Sequence, residues 1–236
     1  MQKAFSTVMR REVELTAAGR TDTGVHARLM VAHFDSDDDS LVSSDTRQKL
    51  TSRLNSLLPS SIALSDIVPV CNDAHARFSA ISRTYEYHVI TSKDPFLQGR
   101  AVRVPPELDF EAMNTAAQCL LTTADFGSFC KVHTDVKNML CSVGYAKWEK
   151  MEGNNMIPAA EIGTEHYVFR ITANRFLRNM VRAIVGTLFD VGMHRITTDD
   201  FKNIIEQHHR TAAGNSAPAE GLYLVDIEYP ENIYIS

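Results

Sequence analysis

Apolar and polar positions repeat along this chain with two periods, and the places where one gives way to the other mark its elements. Residues 2–10 carry a helical pattern from the second position onward. Residues 12–18 alternate like a strand and run into Gly19-Arg20-Thr21-Asp22-Thr23-Gly24, which is turn chemistry throughout. Residues 29–34 predict the next strand. Leu50, Leu54, Leu57 and Leu58 fall at helical spacing, and Pro59 stops that helix. Residues 62–70 read as a strand and 74–82 as a connection. Residues 85–91 predict a strand with Tyr85, Tyr87 and Val89 on one face.

The second half follows the same logic. Residues 110–121 predict a helix capped by Asp109. Residues 141–149 and 166–173 predict strands, the second leading into a long helix from Asn174. On that helix Leu177, Val181, Ile184, Val185 and Leu188 form an apolar stripe. Thr197 or Thr198 caps a helix carrying Phe201, Ile204 and Ile205, and residues 222–229 close the chain with a strand. Alternating helix and strand patterns point to a mixed α/β class, with a division near residues 72–75 into an N-terminal lobe, 1–74, and a larger C-terminal lobe, 75–236.

Composition narrows the picture. The 236 residues are 44% hydrophobic and 22% charged, enough to bury a core and unlike a disordered chain. No apolar run reaches bilayer-spanning length, and the first residues lack the apolar core of a signal peptide, so a cytoplasmic protein without a membrane association is expected. The four cysteines form no Cys-x-x-Cys pair, and nine scattered histidines show no ligand spacing; no metal site is expected. His26 and His33 read as core residues or groups beside the turn. The net charge of −5 is a weak argument against nucleic-acid binding, because binding depends on where charge sits. Acidic residues gather at 35–39, whereas residues 166–189 hold four arginines and no carboxylate.

Three segments carry candidate chemistry. In 20–26, Asp22 reads as an ordinary turn residue bonding nearby amides, or as a carboxylate presented at a strand end beside Arg20, where an adjacent cation favours the ionised, nucleophilic form. From Asn174 onward, Arg175, Arg178 and Arg182 at i, i+3 and i+7 share one helical face. A solvated face usually mixes both signs; three guanidiniums alone suit phosphates or a buried carboxylate. In 77–87, Tyr85 and Tyr87 read as core aromatics, or as a stacking surface for an unstacked base beside arginines.

Together these segments resemble the TruA family of tRNA pseudouridine synthases. Ala18-Gly19-Arg20-Thr21-Asp22-Thr23-Gly24-Val25-His26-Ala27 resembles the family's catalytic motif, residues 77–87 its second motif, residues 174–186 its third, and Ala219-Glu220-Gly221-Leu222-Tyr223-Leu224 its C-terminal strand. The four occur in the family's order and span nearly the whole chain. The resemblance implies an α+β fold of two ferredoxin-like lobes whose antiparallel sheets join around a central cleft. It implies isomerisation of uridine to pseudouridine in the tRNA anticodon stem-loop, at tRNA positions 38–40, with tRNA as partner, a homodimer and no cofactor. Residue by residue, Asp22 matches the nucleophile, Arg20 the arginine beside it, Tyr85 the tyrosine stacking on the target base and Arg182 the arginine pairing with the carboxylate. Arg175 and Arg178 are then candidates for the RNA backbone.

There are two departures. Thr23 stands where the family often has alanine. The family also places a strand and a Tyr/Gly/Trp-rich loop before its first helix, whereas this chain starts inside that helix, so the first strand is expected to be missing. The alternative is accordingly a non-catalytic RNA-binding relative, distinguished by binding tRNA without forming pseudouridine. A carboxylate-based hydrolase would want a second catalytic carboxylate, and no motif supplies one.

Overall fold

A computed structural model describes residues 1–131, 138–151 and 165–235. In chain order the elements are α1 (Gln2–Met9), β1 (Thr16–Ala17), β2 (His26–Ala27), β3 (Ala32–His33), α2 (Ser44–Asn55), β4 (Ser82–Ile90), β5 (Val102–Arg103), α3 (Phe110–Ala117), β6 (Val143–Lys150), β7 (His166–Ala173), α4 (Met180–Gly192), α5 (Thr198–Glu206) and β8 (Leu222–Glu228). They form two compact units, each discontinuous in sequence. One comprises Met1–Arg20, Met30–Ile81 and Glu228–Ser236; the other comprises Thr21–Leu29 and Ser82–Ile227. The expected division at 74/75 follows the linear order of the chain, whereas these units are defined by packing.

The smaller unit gathers around Phe5, Val13, Leu50 and Leu54, joined by Leu15, Phe34, Leu64 and Ile67. Helix α1 ends where Arg10 takes a left-handed conformation, φ 56°, which an α-helix cannot continue through. Strands β1 and β3 form an antiparallel pair of two residues each. The expected strands at 12–18 and 29–34 thus contract to two residues each, in the C-terminal half of each range. The expected strand at 62–70 does not form; Val70 alone bridges to Tyr234. Helix α2 starts earlier than the leucine spacing indicates, because Ser44 to Lys49 add a polar first turn, and Leu57 lies past its end and exposed.

In the larger unit the strands run in the order β2-β8-β4-β7-β6, with β5 added beside β4. The long strands β4, β7 and β6 pair antiparallel, Tyr85 opposite Ile171 and Tyr87 opposite Phe169. The two-residue strands β2 and β5 pair parallel, to β8 and β4 respectively, so the sheet is mixed rather than wholly antiparallel. Period-2 alternation then separates two faces. Tyr87, Val89, Ala146, Trp148, Phe169 and Ile171 bury one face in a core shared with Met113, Leu120, Ile184, Leu188 and Phe201 from the helices. Asp109 caps α3 by accepting from Ala112, as the sequence predicts; of the two threonines offered for α5 it is Thr197 that caps, closing a capping box with Asp200.

The long helix differs from expectation at its start. It begins at Met180, not Asn174, because Asn179 sits in the left-handed region at φ 66°. Arg175 and Arg178 therefore precede the helix, and the shared helical face with Arg182 does not exist.

The other face of the sheet carries a chain of charged groups. Glu86 accepts from Arg170 at 2.7 and 3.1 Å and meets His88 at 3.3 Å; His88 bonds His166 at 3.0 Å. The His88 hydrogen bond, then Arg170, pulls Glu86 down to about 2, and burial with the neighbouring His88 pulls His166 down to about 4. Both shifts weaken the fold in acid. The unfolded chain protonates His166 near its ordinary 6.5 while the folded chain refuses the proton until about 4. Glu86 adds its loss from about 4.5 down to about 2. The melting temperature is therefore expected to fall from pH 7 to pH 5 by roughly 2–4 °C, on the order of 1 kcal/mol after solvent screening. His166→Gln should flatten the decline between pH 6.5 and 4.5 and leave that below 4.5 in place. An unchanged melting profile in the variant, measured by differential scanning calorimetry across pH, would contradict this assignment.

Candidate active site

Asp22 opens a tight turn whose geometry its own sequence demands. Val25 N–H donates to the Asp22 carbonyl at 3.1 Å, and Gly24 holds φ 85°, a conformation available to glycine at little cost. Immediately after the turn, β2 pairs with β8, His26 opposite Tyr223 and Ala27 opposite Leu224, and Arg28 N–H continues to the Leu224 carbonyl. The His26 ring stacks on Tyr223 with centroids 4.5 Å apart, and its Nε2 lies 2.9 Å from the Gly99 carbonyl. Backbone ladder and ring stack together fix the strand that carries the turn.

Two arginines meet the Asp22 carboxylate. Arg182, in the first turn of α4, points Nη1 at Oδ2 from 3.2 Å while its Nε donates to the Ala217 carbonyl at 2.8 Å. Arg178, in the turn before the helix, holds Nε 4.0 Å from Oδ1. These contacts differ in weight. The Arg178 side chain is 58% exposed, and a loose pair in water contributes at most about 1 kcal/mol. The Arg182 side chain is 21% exposed and tied at a second atom, so its orientation is set before any partner arrives.

Tyr85 stands on the same β4 face as Tyr87, half-buried, its ring edge-on to Phe176 at 5.0 Å. Burial pushes its phenol above the ordinary value; the Asp22 carboxylate acts in the same direction and Arg83 against it. Arg83 itself donates to the Asn174 carbonyl at 3.2 Å. Asp22, Tyr85, Arg178 and Arg182 thus belong to one neighbourhood of the larger unit. Arg175 does not reach the carboxylate; its charge acts on the Cys141 thiol, which burial pushes up to about 11. Arg20 belongs to the smaller unit.

The sequence reading missed Arg83 and the segment 213–218. That segment supplies the Ala217 carbonyl to Arg182 and the Pro218 carbonyl to the Tyr87 hydroxyl at 2.8 Å. Its apolar and polar residues follow neither period, and the only available signals were its glycine and proline, Gly214 and Pro218.

Comparison with known proteins adds an independent line. A family model described as tRNA pseudouridine synthase matches residues 116–230. The chain is 49% identical to the tRNA pseudouridine synthase A of Bacteroides thetaiotaomicron, over 99% of this chain and 82% of that protein. It is 48% identical to the protein of that name from Porphyromonas gingivalis, over 100% and 88%. A more distant relative with that name, from Bacillus subtilis, is 36% identical over 97% of this chain and 87% of its own length.

The Tyr87–Pro218 bond gives a test of how tightly the segment is held. Tyr87→Phe keeps the ring and removes the donor from the part-buried bond to the Pro218 carbonyl, at a cost of about 0.5–1.5 kcal/mol. Urea unfolding should show that loss with an unchanged denaturant slope. A loss within a few tenths of a kcal/mol would mean that water replaces the hydroxyl.

Proposed function

The chain belongs to the tRNA pseudouridine synthase family, and from that premise we propose that it isomerises uridine to pseudouridine in tRNA with Asp22 as the attacking group. The reaction breaks the C1′–N1 bond of uridine and forms C1′–C5; C5 gives up a proton and N1 gains one, so nothing is oxidised or hydrolysed. The observation that supports Asp22 most directly is its 3.2 Å pair with Arg182. An ionised carboxylate at C1′ or C6 of the base is a competent nucleophile, and a guanidinium anchored at Nε keeps it aimed.

The target base must leave its stack, at a cost of roughly a few kcal/mol. Tyr85 offers a ring within the electrostatic reach of Asp22. Stacking on it would offset about 1–3 kcal/mol. Once freed from ribose, the base turns so that C5 rather than N1 faces C1′, and a ring beneath it permits that rotation because stacking has no fixed in-plane direction. Arg178, largely exposed, suits a phosphate near the target nucleotide, and Arg175 is a second candidate for the RNA backbone. The same reading carries the finer expectations: target uridines in the anticodon stem-loop at tRNA positions 38–40, a homodimer, a cytoplasmic location and two ferredoxin-like lobes.

Asp22→Asn nearly preserves shape and removes the nucleophile. Pseudouridine formation should vanish while the tRNA Kd stays within a few-fold. Full product formation by this variant, followed by tritium release from uridine labelled at C5, would overturn the assignment. The two arginines should separate. Arg182→Ala is expected to depress turnover far more than binding. Arg178→Ala should mainly weaken binding and reduce its salt slope by about one phosphate contact. Identical effects of the two changes on kcat and Kd would contradict these roles.

A further inference from the structure

Arg182 can aim at Asp22 only while the Ala217 carbonyl stays where it is, and that carbonyl belongs to a segment without secondary structure of its own. Residues 213–218 lie along α4. Ala217 N–H donates to the Arg182 carbonyl at 2.9 Å, and Arg182 Nε returns a bond to the Ala217 carbonyl at 2.8 Å. Gly214 N–H donates to the Thr187 hydroxyl, which in turn donates to Ala183 one helical turn back. The contact is at backbone distance: a Cβ on Gly186 would stand 1.7 Å from the Asn215 carbonyl oxygen. Nothing in a six-residue stretch of Ala, Gly, Asn, Ser, Ala and Pro holds such a shape unaided.

The residue that holds it is Arg210. Its Nη1 donates to the Ala213 carbonyl at 3.2 Å and the Gly214 carbonyl at 3.1 Å, and its Nη2 reaches the Ser216 hydroxyl at 3.1 Å. The same hydroxyl accepts from Asn179 Nδ2 at 2.6 Å, at the residue whose left-handed backbone starts α4. One planar guanidinium thereby gathers three acceptors of the segment and links it, through Ser216, to the residue that caps the helix carrying Arg182. Few side chains can do this: a guanidinium has five donors in a rigid fork, an ammonium three on a flexible stem.

We propose that Arg210 is a positioning residue for pseudouridine formation: it fixes residues 213–218, whose Ala217 carbonyl orients Arg182 toward Asp22. This rests on the reading of Asp22 and Arg182 given above. Arg210 bonds Ala213, Gly214 and Ser216 and forms no ion pair with Asp22, so its effect passes through Arg182.

The test measures single-turnover pseudouridine formation and Kd on an in-vitro-transcribed tRNA, with melting temperature alongside. Arg210→Ala should slow the single-turnover rate on the order of 10- to 100-fold, with Kd within about 3-fold of wild type. Arg210→Lys should recover only part of that rate, because an ammonium on a flexible stem lacks the rigid fork that spans the three acceptors. The decisive arm is the double variant. If Arg210 acts through Arg182, Arg210→Ala adds no further loss to Arg182→Ala. Ser216→Ala, which removes the shared hydroxyl with almost no change in volume, should lower the rate several-fold by the same non-additive route, and it carries the test should Arg210→Ala not fold. A wild-type rate in both single variants, or losses that multiply with that of Arg182→Ala, would overturn the proposal. Asp22→Asn assayed in parallel keeps the two ideas apart: its full activity would sink the nucleophile assignment itself, whereas its inactivity beside fully active Arg210 and Ser216 variants would sink only the positioning role.

Discussion

Two backbone pairs, His26 with Tyr223 and Ala27 with Leu224, attach the Asp22 turn to the last strand of the larger unit. Everything at the site depends on them. The segment Thr21–Leu29 packs with that unit although the residues before and after it belong to the other. A stretch so short has no core of its own and gains its position from what it can borrow. It borrows the Leu224 carbonyl for Arg28, the Tyr223 ring for His26 and the Gly99 carbonyl for His26 Nε2. Only with those in place does a carboxylate 160 positions away in sequence come within 3.2 Å of Arg182.

The electrostatics of the site follow from unequal anchoring. A guanidinium free at both ends samples many rotamers, and holding it in one costs side-chain entropy when a partner binds. Arg182 has met that cost in folding, because Nε is engaged and the side chain is mostly covered. Arg178 has not. The pair therefore combines one fixed cation, suited to holding a carboxylate in register, with one adaptable cation, suited to a substrate whose phosphates arrive in varied places.

How much of this the sequence discloses depends on the kind of signal. The buried stripe Leu177, Val181, Ile184, Val185 and Leu188 is correct at every position, since all five are buried. The helix assumed beneath it is wrong in its first turn, because apolar spacing reports burial and not backbone conformation. Leu177 buries its side chain from a turn, and the left-handed Asn179 leaves no periodic trace. The short strands fail for a related reason. Residues 62–70 are apolar enough to read as a strand, but a strand needs a partner ladder, and pairing is a property of distant chain. Asp22, Tyr85 and Arg182 stand out as candidates because they sit in motifs of fixed spacing. Arg83 and Arg210 do not, since each acts on backbone carbonyls, which every residue has and no motif marks.

The parallel pairing of β2 with β8 also sets a schedule. A ribosome makes the Asp22 turn early and its seat on Tyr223 and Leu224 roughly 200 residues later; at about 5–20 residues per second that is on the order of 10–40 s. During that interval the turn has no ladder to join, and Arg182 has no Ala217 carbonyl to hold it. The neighbouring β4, β7 and β6 have their partners sooner and can form their ladder first. The nascent chain thus passes through a long stage with a largely formed sheet but no assembled site, and the geometry around Asp22 arrives with the last strand rather than growing as the chain does.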